Sequence, residues 1–373
     1  MPTNCLLFLN LTAFSNQGGI EKFNRCFLKA LHQLSQSGLL SCNSFSLYDN
    51  CCEEYYYPSN YYTACNGNKI KFIYKALLKI RKHDTIILGH LHLSIFVWLI
   101  KLLYSPKRII IIIHGIEAEQ NSNYFKRFAL LHAHNILAVS NYTKSLLLKN
   151  YKIKPLKIII FPNTIDPKFL MPRSGSSKDD LRLRYNIGAD KFVLFTLARL
   201  SFAEQYKGYD KVLACLPNLI PQYPQLIYVL AGKADDKEFV RITELISQYK
   251  IKDHVKLIGF IHDDELYAHY NMANLFIMPS YKEGFGIVFL EALIVGLPVI
   301  GGNIDGTVDA LDNGRFGTLI NPNSNIEIQK AIVAAIEKHS YNYIGKENHI
   351  ASVINKFGFD EFKKRLNLIL KAA

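Results

Sequence analysis

The segment PSYKEGFGIVFLEALIVGLPVI at 279–300 carries two glutamates, Glu283 and Glu291. It reads as a strand end, a glycine-containing turn (Gly284, Phe285, Gly286) and an apolar helix starting near Gly286. The spacing of the two acids is about two helical turns. Glu283 therefore sits in the turn at the helix N-terminus, and Glu291 lies inside the first turns. A helix N-terminus offers unpaired N–H groups and a partial positive charge, which suit a phosphate. Two carboxylates beside such a site fit a ligand that also brings hydroxyls. A sugar nucleotide does this: its diphosphate faces the Gly284–Ile287 amides and its hydroxyls bond the acids. Read alone, the pair also fits a buried strand–helix unit with one satisfied acid and one capping acid.

Three other groupings could join this chemistry. In LARLSFAEQYKGYDKVL at 197–213, Arg199 and Lys207 follow a strand. An arginine can clamp two phosphate oxygens and a lysine adds a mobile point charge, although a surface Arg and Lys are commonplace. In NLTAFSNQGGIEKF at 10–23, Gly18 and Gly19 lie between a strand and a helix. There the backbone can approach a ligand closely, or simply turn tightly; the G-x-G-x-x-G spacing of a dinucleotide site is absent. His114 ends the strand IIIIIHGIEAEQ, with Glu117 within reach. It can bond a sugar hydroxyl or handle a proton near neutral pH, or be a satisfied core histidine. His90 with His92, and His132 with His134, have His-x-His spacing but no third ligand, so no metal is assigned.

Apolar strands alternate with helical stretches along the chain, the mark of parallel α/β sheets. The first half predicts strands at Cys5–Leu9, Ser41–Leu47, Thr85–Leu88, Ile109–Ile113, Asn135–Val139 and Lys157–Phe161, with helices such as Ile20–Ser37 and Ile70–Lys82. Residues 49–68 read as a loop. The second half predicts strands at Phe192–Leu197, Leu226–Ala231, Val255–Ile258, Leu275–Met278, Val299–Gly301 and Gly317–Leu319. The fold class expected is therefore α/β with two facing doubly wound domains, whose ligand sites lie outside the carboxyl ends of the strands. The domains are placed at 1–170 and 181–352, with a Ser/Gly/Lys-rich linker at 171–180 and a final helix at 353–373.

Bulk properties narrow the class. A chain of 373 residues is long enough for two domains, and 49% hydrophobic with 20% charged residues is ordinary for a soluble enzyme. Seven scattered cysteines make neither a bridge framework nor a metal pattern and read as reduced thiols of a cytoplasmic protein. The N-terminus lacks a basic signal region. The longest apolar run, 91–104, contains Lys101 and is too short to span a bilayer; a buried helix is expected there. Residues 1–168 hold 20 Lys and Arg against 8 Asp and Glu, whereas the rest holds 24 against 23, out of a net +13. A basic half suggests an anionic partner. Lys69, Lys71, Lys75, Lys79, Arg81 and Lys82, interleaved with apolar residues, describe a basic amphipathic helix that can lie on an anionic membrane surface or be merely solvated.

Taken together, these motifs and their order resemble the retaining glycosyltransferases of the GT-B fold, family four (glycosyltransferase group 1), from residue 5 to about 320. The signature carried here is Pro279–Ser280, the Glu283–Gly286 turn and Glu291. PNTID at 162–166 and GGNIDGTVDAL at 301–311 fit the same pattern. The resemblance implies that Arg199 and Lys207 hold the donor diphosphate and that the Gly18–Gly19 loop closes over it. It places His114 toward the donor sugar and the nucleobase at Gly259, Phe260 and Ile261. Glu283 orients sugar hydroxyls and Glu291 the ribose. It further implies a basic acceptor domain, a donor domain and a C-terminal helix crossing back to the first domain. No Asp-x-Asp occurs, so neither metal nor other cofactor is expected. The implied activity moves a sugar from a UDP- or GDP-sugar to a glycan or lipid-linked acceptor in cell-surface polysaccharide or glycolipid synthesis, peripheral at the inner face of the membrane. Alternatives are another GT-B enzyme, a sugar-nucleotide epimerase or phosphorylase, or a basic nucleic-acid-binding protein. The last lacks any aromatic-basic RNA motif or zinc pattern, and no nucleic-acid partner is expected.

Overall fold

Strands such as Arg108–Ile113 (RIIIII) are apolar on both faces, the pattern of a parallel sheet covered by helices on each side. The computed structural model describes residues 4–36, 38, 40–104, 107–119, 123–171, 177–339 and 346–372. Every pairing between its strands is parallel. The chain forms two units, residues Met1–Asp166 with Phe357–Ala373, and Pro167–Lys356.

The first unit contains β1 (Asn4–Asn10), β2 (Leu40–Ser46), β3 (Tyr62–Ala64), β4 (Thr85–Leu88), β5 (Arg108–Ile113), β6 (Asn135–Ala138) and β7 (Ile158–Ile160). Their order is β3-β2-β1-β4-β5-β6-β7. Helices α1 (Gly19–Ser35), α2 (Lys69–Ile80) and α3 (Ile95–Leu103) belong to this unit. The second unit contains β8 (Phe192–Leu197), β9 (Leu226–Ala231), β10 (Val255–Gly259), β11 (Leu275–Met278), β12 (Val299–Gly302) and β13 (Thr318–Ile320), in the order β10-β9-β8-β11-β12-β13. Each sheet is doubly wound. The strand order reverses between β1 and β4 in the first and between β8 and β11 in the second, and ligands of open α/β sheets bind at such points.

Four expectations need correction. The loop expected at 49–68 contains β3, a three-residue edge strand on Ser44–Ser46; turn-forming neighbours hide so short a strand from sequence. The final helix is two, Lys346–Phe357 and Phe359–Lys371. They break where the Phe357 carbonyl turns aside to accept from Ile165 N–H and the Thr164 hydroxyl, with Gly358 extended. The second of them packs within the first unit, its Phe362 ring against Phe23, Phe27 and Phe161. Of the linker expected at 171–180, residues 172–176 lie outside the described residues. Ser177 caps the helix Lys178–Arg184 with a capping box, so 178–180 are helical. Last, the run 91–104 is only partly buried: Phe96, Val97 and Ile100 face the core, but Leu102 and Leu103 are exposed. No helix of the described residues is long and apolar enough to cross a membrane.

Candidate active site

In the second unit the switch strands β8 and β11 are tied side by side. The Thr196 hydroxyl donates to the Ile277 carbonyl and accepts from Tyr228 OH at 2.9 Å. The segments leaving these strands carry the expected side chains: Arg199 and Lys207 after β8, Glu283 after β11. They are drawn together by the backbone. Tyr281 N–H donates to Tyr206 O at 3.0 Å, and Gly208 lies against Pro279. Gly208 has φ of 77°, and a Cβ there would fall 2.1 Å from Pro279 O. Only glycine fits a left-handed residue pressed on a carbonyl. The result is an ion pair between Lys207 and Glu283, each side chain more than four-fifths covered.

The helix Ile287–Val295 begins where the sequence placed it. Gly286 is its N-cap, with φ of 88° and no room for a Cβ beside the Phe289 ring. Gly284 and Phe285 form the turn before it, and its first turn presents N–H groups at the strand ends. Glu291 lies within the helix, buried (2% exposed). Its Oε2 accepts from Tyr270 OH at 2.8 Å. Burial and the Glu291 carboxylate push the Tyr270 phenol well up, so it stays a protonated donor. A carboxylate at this depth, held by the tyrosine hydroxyl, is oriented rather than solvated. Arg199 is largely exposed and pairs with Glu204 at 3.0 Å. Gly259 ends β10 with φ of 73°, and its carbonyl accepts from Gly232 N–H at 2.7 Å. Phe260 beyond it is exposed and Ile261 is buried.

One residue that sequence reasoning passed over organises this turn. Asp305, after β12, is buried and accepts from Ser280 Oγ (2.7 Å), Glu283 N–H (2.7 Å) and Thr307 N–H (2.9 Å). Gly306 N–H donates to Glu283 O at 2.8 Å. Glu283 is thus pinned at its N–H, its carbonyl and its carboxylate. Burial outweighs these hydrogen bonds and raises the Asp305 pKa from 3.8 to about 6. The only sequence signal was an acid set among glycines after a strand. Tyr270 and Glu204 were likewise missed; a tyrosine inside a helix and a glutamate in an insertion carry no pattern.

The first unit holds the remaining predicted residues. Gly18 caps α1 in an extended conformation and Gly19 opens the helix. The loop before them is braced by Asp49, which accepts from Thr12 Oγ1, Ala13 N–H, Ser15 N–H and Tyr62 OH at 2.5–2.8 Å. Burial would raise the Asp49 pKa, but hydrogen bonds from Tyr62, Ser15, Thr12 and Ala13 prevail and hold it low. His114 Nε2 lies 2.8 Å from Gly89 O. A carbonyl only accepts, so Nε2 carries a proton and donates it to Gly89 O. Glu117 takes the His114 N–H at 2.6 Å, fixing the backbone rather than the imidazole. His90, near-parallel to His114, is lowered to about 2 by burial and by its histidine neighbours, and stays neutral. Three of these four histidine rings meet backbone groups: His90 on His92 N–H, His132 on Phe128 O and His134 on Ile109 N–H.

Comparison with known proteins agrees with this architecture. The family description "Glycosyltransferase Family 4" matches residues 18–169, and "Glycosyl transferases group 1" matches residues 177–350. The chain is 29% identical over 201 residues to a GDP-mannose-dependent alpha-(1-6)-phosphatidylinositol monomannoside mannosyltransferase of Mycobacterium tuberculosis, covering 52% of this chain and 50% of that protein. It is 23% identical over 239 residues to an uncharacterized glycosyltransferase of Methanocaldococcus jannaschii, covering 64% and 60%. The match thus spans half to three-fifths of these relatives' lengths. Among solved structures, Anabaena HepE in complex with UDP and glucose superposes with a TM-score of 0.80 at 18% identity, covering 99% of this chain and all of that one. The two matches fall on the two halves and account for most of the sequence: the chain belongs to the group 1 glycosyltransferases and has the GT-B fold.

Proposed function

We propose that the protein transfers a sugar from a UDP- or GDP-sugar to a hydroxyl of a glycan or lipid-linked acceptor, with retention at the anomeric carbon and without a metal. One observation carries this reading. At the switch point of the second unit, two cations, a helix N-terminus and two oriented carboxylates stand on adjoining segments. A diphosphate flanked by two hydroxyl-bearing rings needs this combination. The relative from Mycobacterium tuberculosis is named for GDP-mannose, and the Anabaena structure holds UDP and glucose. Both bases therefore remain candidates.

The donor replaces an existing contact. Lys207 and Glu283 hold each other until the diphosphate takes the ammonium and the sugar hydroxyls take the carboxylate. Arg199 likewise leaves Glu204 for a phosphate oxygen. Glu291, set by Tyr270, accepts from the ribose hydroxyls. As the bond between anomeric carbon and phosphate breaks, negative charge grows on the leaving diphosphate. Arg199, Lys207 and the N–H groups at the helix start, in place once the donor has bound, stabilise it. Glu283 orients the sugar and is not the nucleophile. The departing phosphate takes the acceptor hydroxyl's proton on the same face, which gives retention.

Transfer from a panel of nucleotide sugars, assayed with and without EDTA, tests the reading. Expected is one preferred donor, chelator-insensitive turnover and an α-linked product from an α-linked donor. Phosphate-dependent breakdown, donor epimerisation without transfer, or an inverted product would overturn it.

A further inference from the structure

Arg199 and Lys207 stand near the two ends of one loop, which leaves β8 and enters the helix Tyr209–Leu219 through its cap, Gly208. Both ends are held by one neighbour, the start of the helix Asp236–Gln248 that follows β9. At the Arg199 end the grip is made by backbone. Leu200 N–H donates to Lys233 O at 3.1 Å, and Asp235 N–H donates to Leu200 O at 3.0 Å. The Asp235 carboxylate, which caps the neighbouring helix, also accepts from Phe202 N–H at 2.9 Å. At the Lys207 end the grip is ionic. Tyr209 OH donates to Glu238 Oε1 at 2.6 Å, and Arg241 Nε donates to Glu238 Oε2 at 2.8 Å. The same guanidinium lies 3.7 Å from Asp210 Oδ2. Glu238 and Tyr209 are wholly buried, and burial with Glu238 alongside pushes the Tyr209 phenol up, which keeps it a donor.

Stability alone does not call for such a set. Desolvating a buried ion pair costs about what the attraction returns, and apolar side chains of similar volume hold a helix contact as well. What the charged set adds is direction. One carboxylate shared by an arginine fork and a phenol admits a narrow range of helix placements. That placement reaches the diphosphate site within two residues. Tyr209 follows Gly208, which is pressed on Pro279 O, and Lys207 precedes it, paired with Glu283. A slide of the helix start by about 1 Å would carry the Lys207 ammonium out of place, and misplacement on that scale is enough to slow a reaction strongly. The segment between the two grips, Phe202–Lys207, is a 3₁₀ turn broken at Glu204, so it passes no register from Arg199 to Lys207.

We propose that Glu238 and Arg241 are positioning residues for sugar transfer: through Tyr209 and Asp210 they set where Lys207 meets the donor diphosphate. Asp235 sets the Arg199 end in the same way, so one helix start fixes the spacing of both cations. This rests on the reading of Arg199 and Lys207 as diphosphate contacts. Glu238 is buried and acts only through the groups it holds.

The test compares Glu238→Gln, which keeps an acceptor for Tyr209 but drops the charge facing Arg241, with Tyr209→Phe, which removes only the hydroxyl. Each should lower kcat about tenfold and weaken binding of UDP or GDP, whichever the protein takes, by a similar factor. Stoichiometry should stay at one, and affinity for the phosphate-free nucleoside, uridine or guanosine measured by competition, should match wild type. Lys207→Ala should be impaired more than either. Adding Glu238→Gln to it should cost less than about twofold further, because both changes act on one contact. Wild-type turnover in Glu238→Gln and Tyr209→Phe, beside an impaired Lys207→Ala, would overturn the positioning. So would equal losses for nucleotide and nucleoside, or additive losses in the double variant, since either marks a general loosening. Wild-type turnover in Lys207→Ala would instead remove the diphosphate reading beneath it.

Discussion

The two units share one architecture and differ in how they handle charge. The first, residues 1–166 and 357–373, holds 23 Lys and Arg against 10 Asp and Glu; the second holds 21 of each. Yet the anion-binding chemistry is assigned to the neutral one. There every key cation already faces an acid: Lys207 meets Glu283 and Arg199 meets Glu204. A site for one small diphosphate needs a few fixed charges at the right place, and acids that keep them there until the ligand arrives. Net charge contributes little at that range. The basic unit spreads its cations over exposed helices, which suits an extended partner and screens readily with salt. On the proposed reading, local geometry and not total charge marks the diphosphate site.

Variants can break or sharpen this contrast. Arg199→Ala should have the largest effect, a roughly 10²–10³-fold fall in kcat, about 2.7–4 kcal/mol, from loss of one preorganised charge on the leaving group. Steady-state kinetics with the preferred donor checks it. Unchanged turnover would mean that the exposed arginine never leaves Glu204.

Asp305→Asn comes next. Glu283 N–H and Thr307 N–H bond different carboxylate oxygens, and asparagine keeps only one acceptor oxygen, so the Glu283 turn loosens. Turnover should drop about tenfold or more while UDP or GDP affinity holds. The wild-type pH–rate profile should fall on the acid side of about 6, where Asp305 protonates; the variant should lack that limb. Stability runs the opposite way. Folding raises this carboxyl's pKa, so the group lowers stability as pH climbs from 3.8 to about 6. Denaturant titrations should show that slope flattened in the variant.

Tyr270→Phe keeps the ring packing on Phe195 and Phe276 but removes the hydroxyl that donates to Glu291 Oε2. Nucleotide binding should weaken about tenfold, in line with one hydrogen bond to a charged group, with kcat nearly intact. The smallest effect is expected from Lys71→Glu, Lys75→Glu, Lys79→Glu on UDP or GDP affinity, measured by calorimetry: within about twofold of wild type, because the charges lie outside the donor unit. A large change would dissolve the division between the two units.

What was legible in the sequence follows from what local pattern can encode. Buried parallel strands are continuous apolar runs, so Thr85–Leu88, Phe192–Leu197 and Leu275–Met278 were placed to the residue. Gly286 signalled a helix start because few other residues tolerate its backbone, and Glu291 within an apolar helix announced a buried acid. Contacts made across the sheet were not legible. Asp305 reaches Glu283 across 22 positions, and Tyr270 reaches Glu291 across 21. Nor could periodicity tell that Ile70, Tyr74 and Leu78 face outward, since α2 is apolar on both sides. Short β3 and the break at Gly358 were missed because each is fixed by a distant partner, Ser44–Ser46 and the Thr164–Ile165 segment.

Calorimetric titration of the wild type and Glu291→Ala with UDP, GDP, ADP and dTDP tests the central claim most directly. One nucleotide should bind with unit stoichiometry and lose at least about tenfold in affinity in the variant. Equal affinity in both proteins, or no binding of any nucleotide by the wild type, would contradict the account.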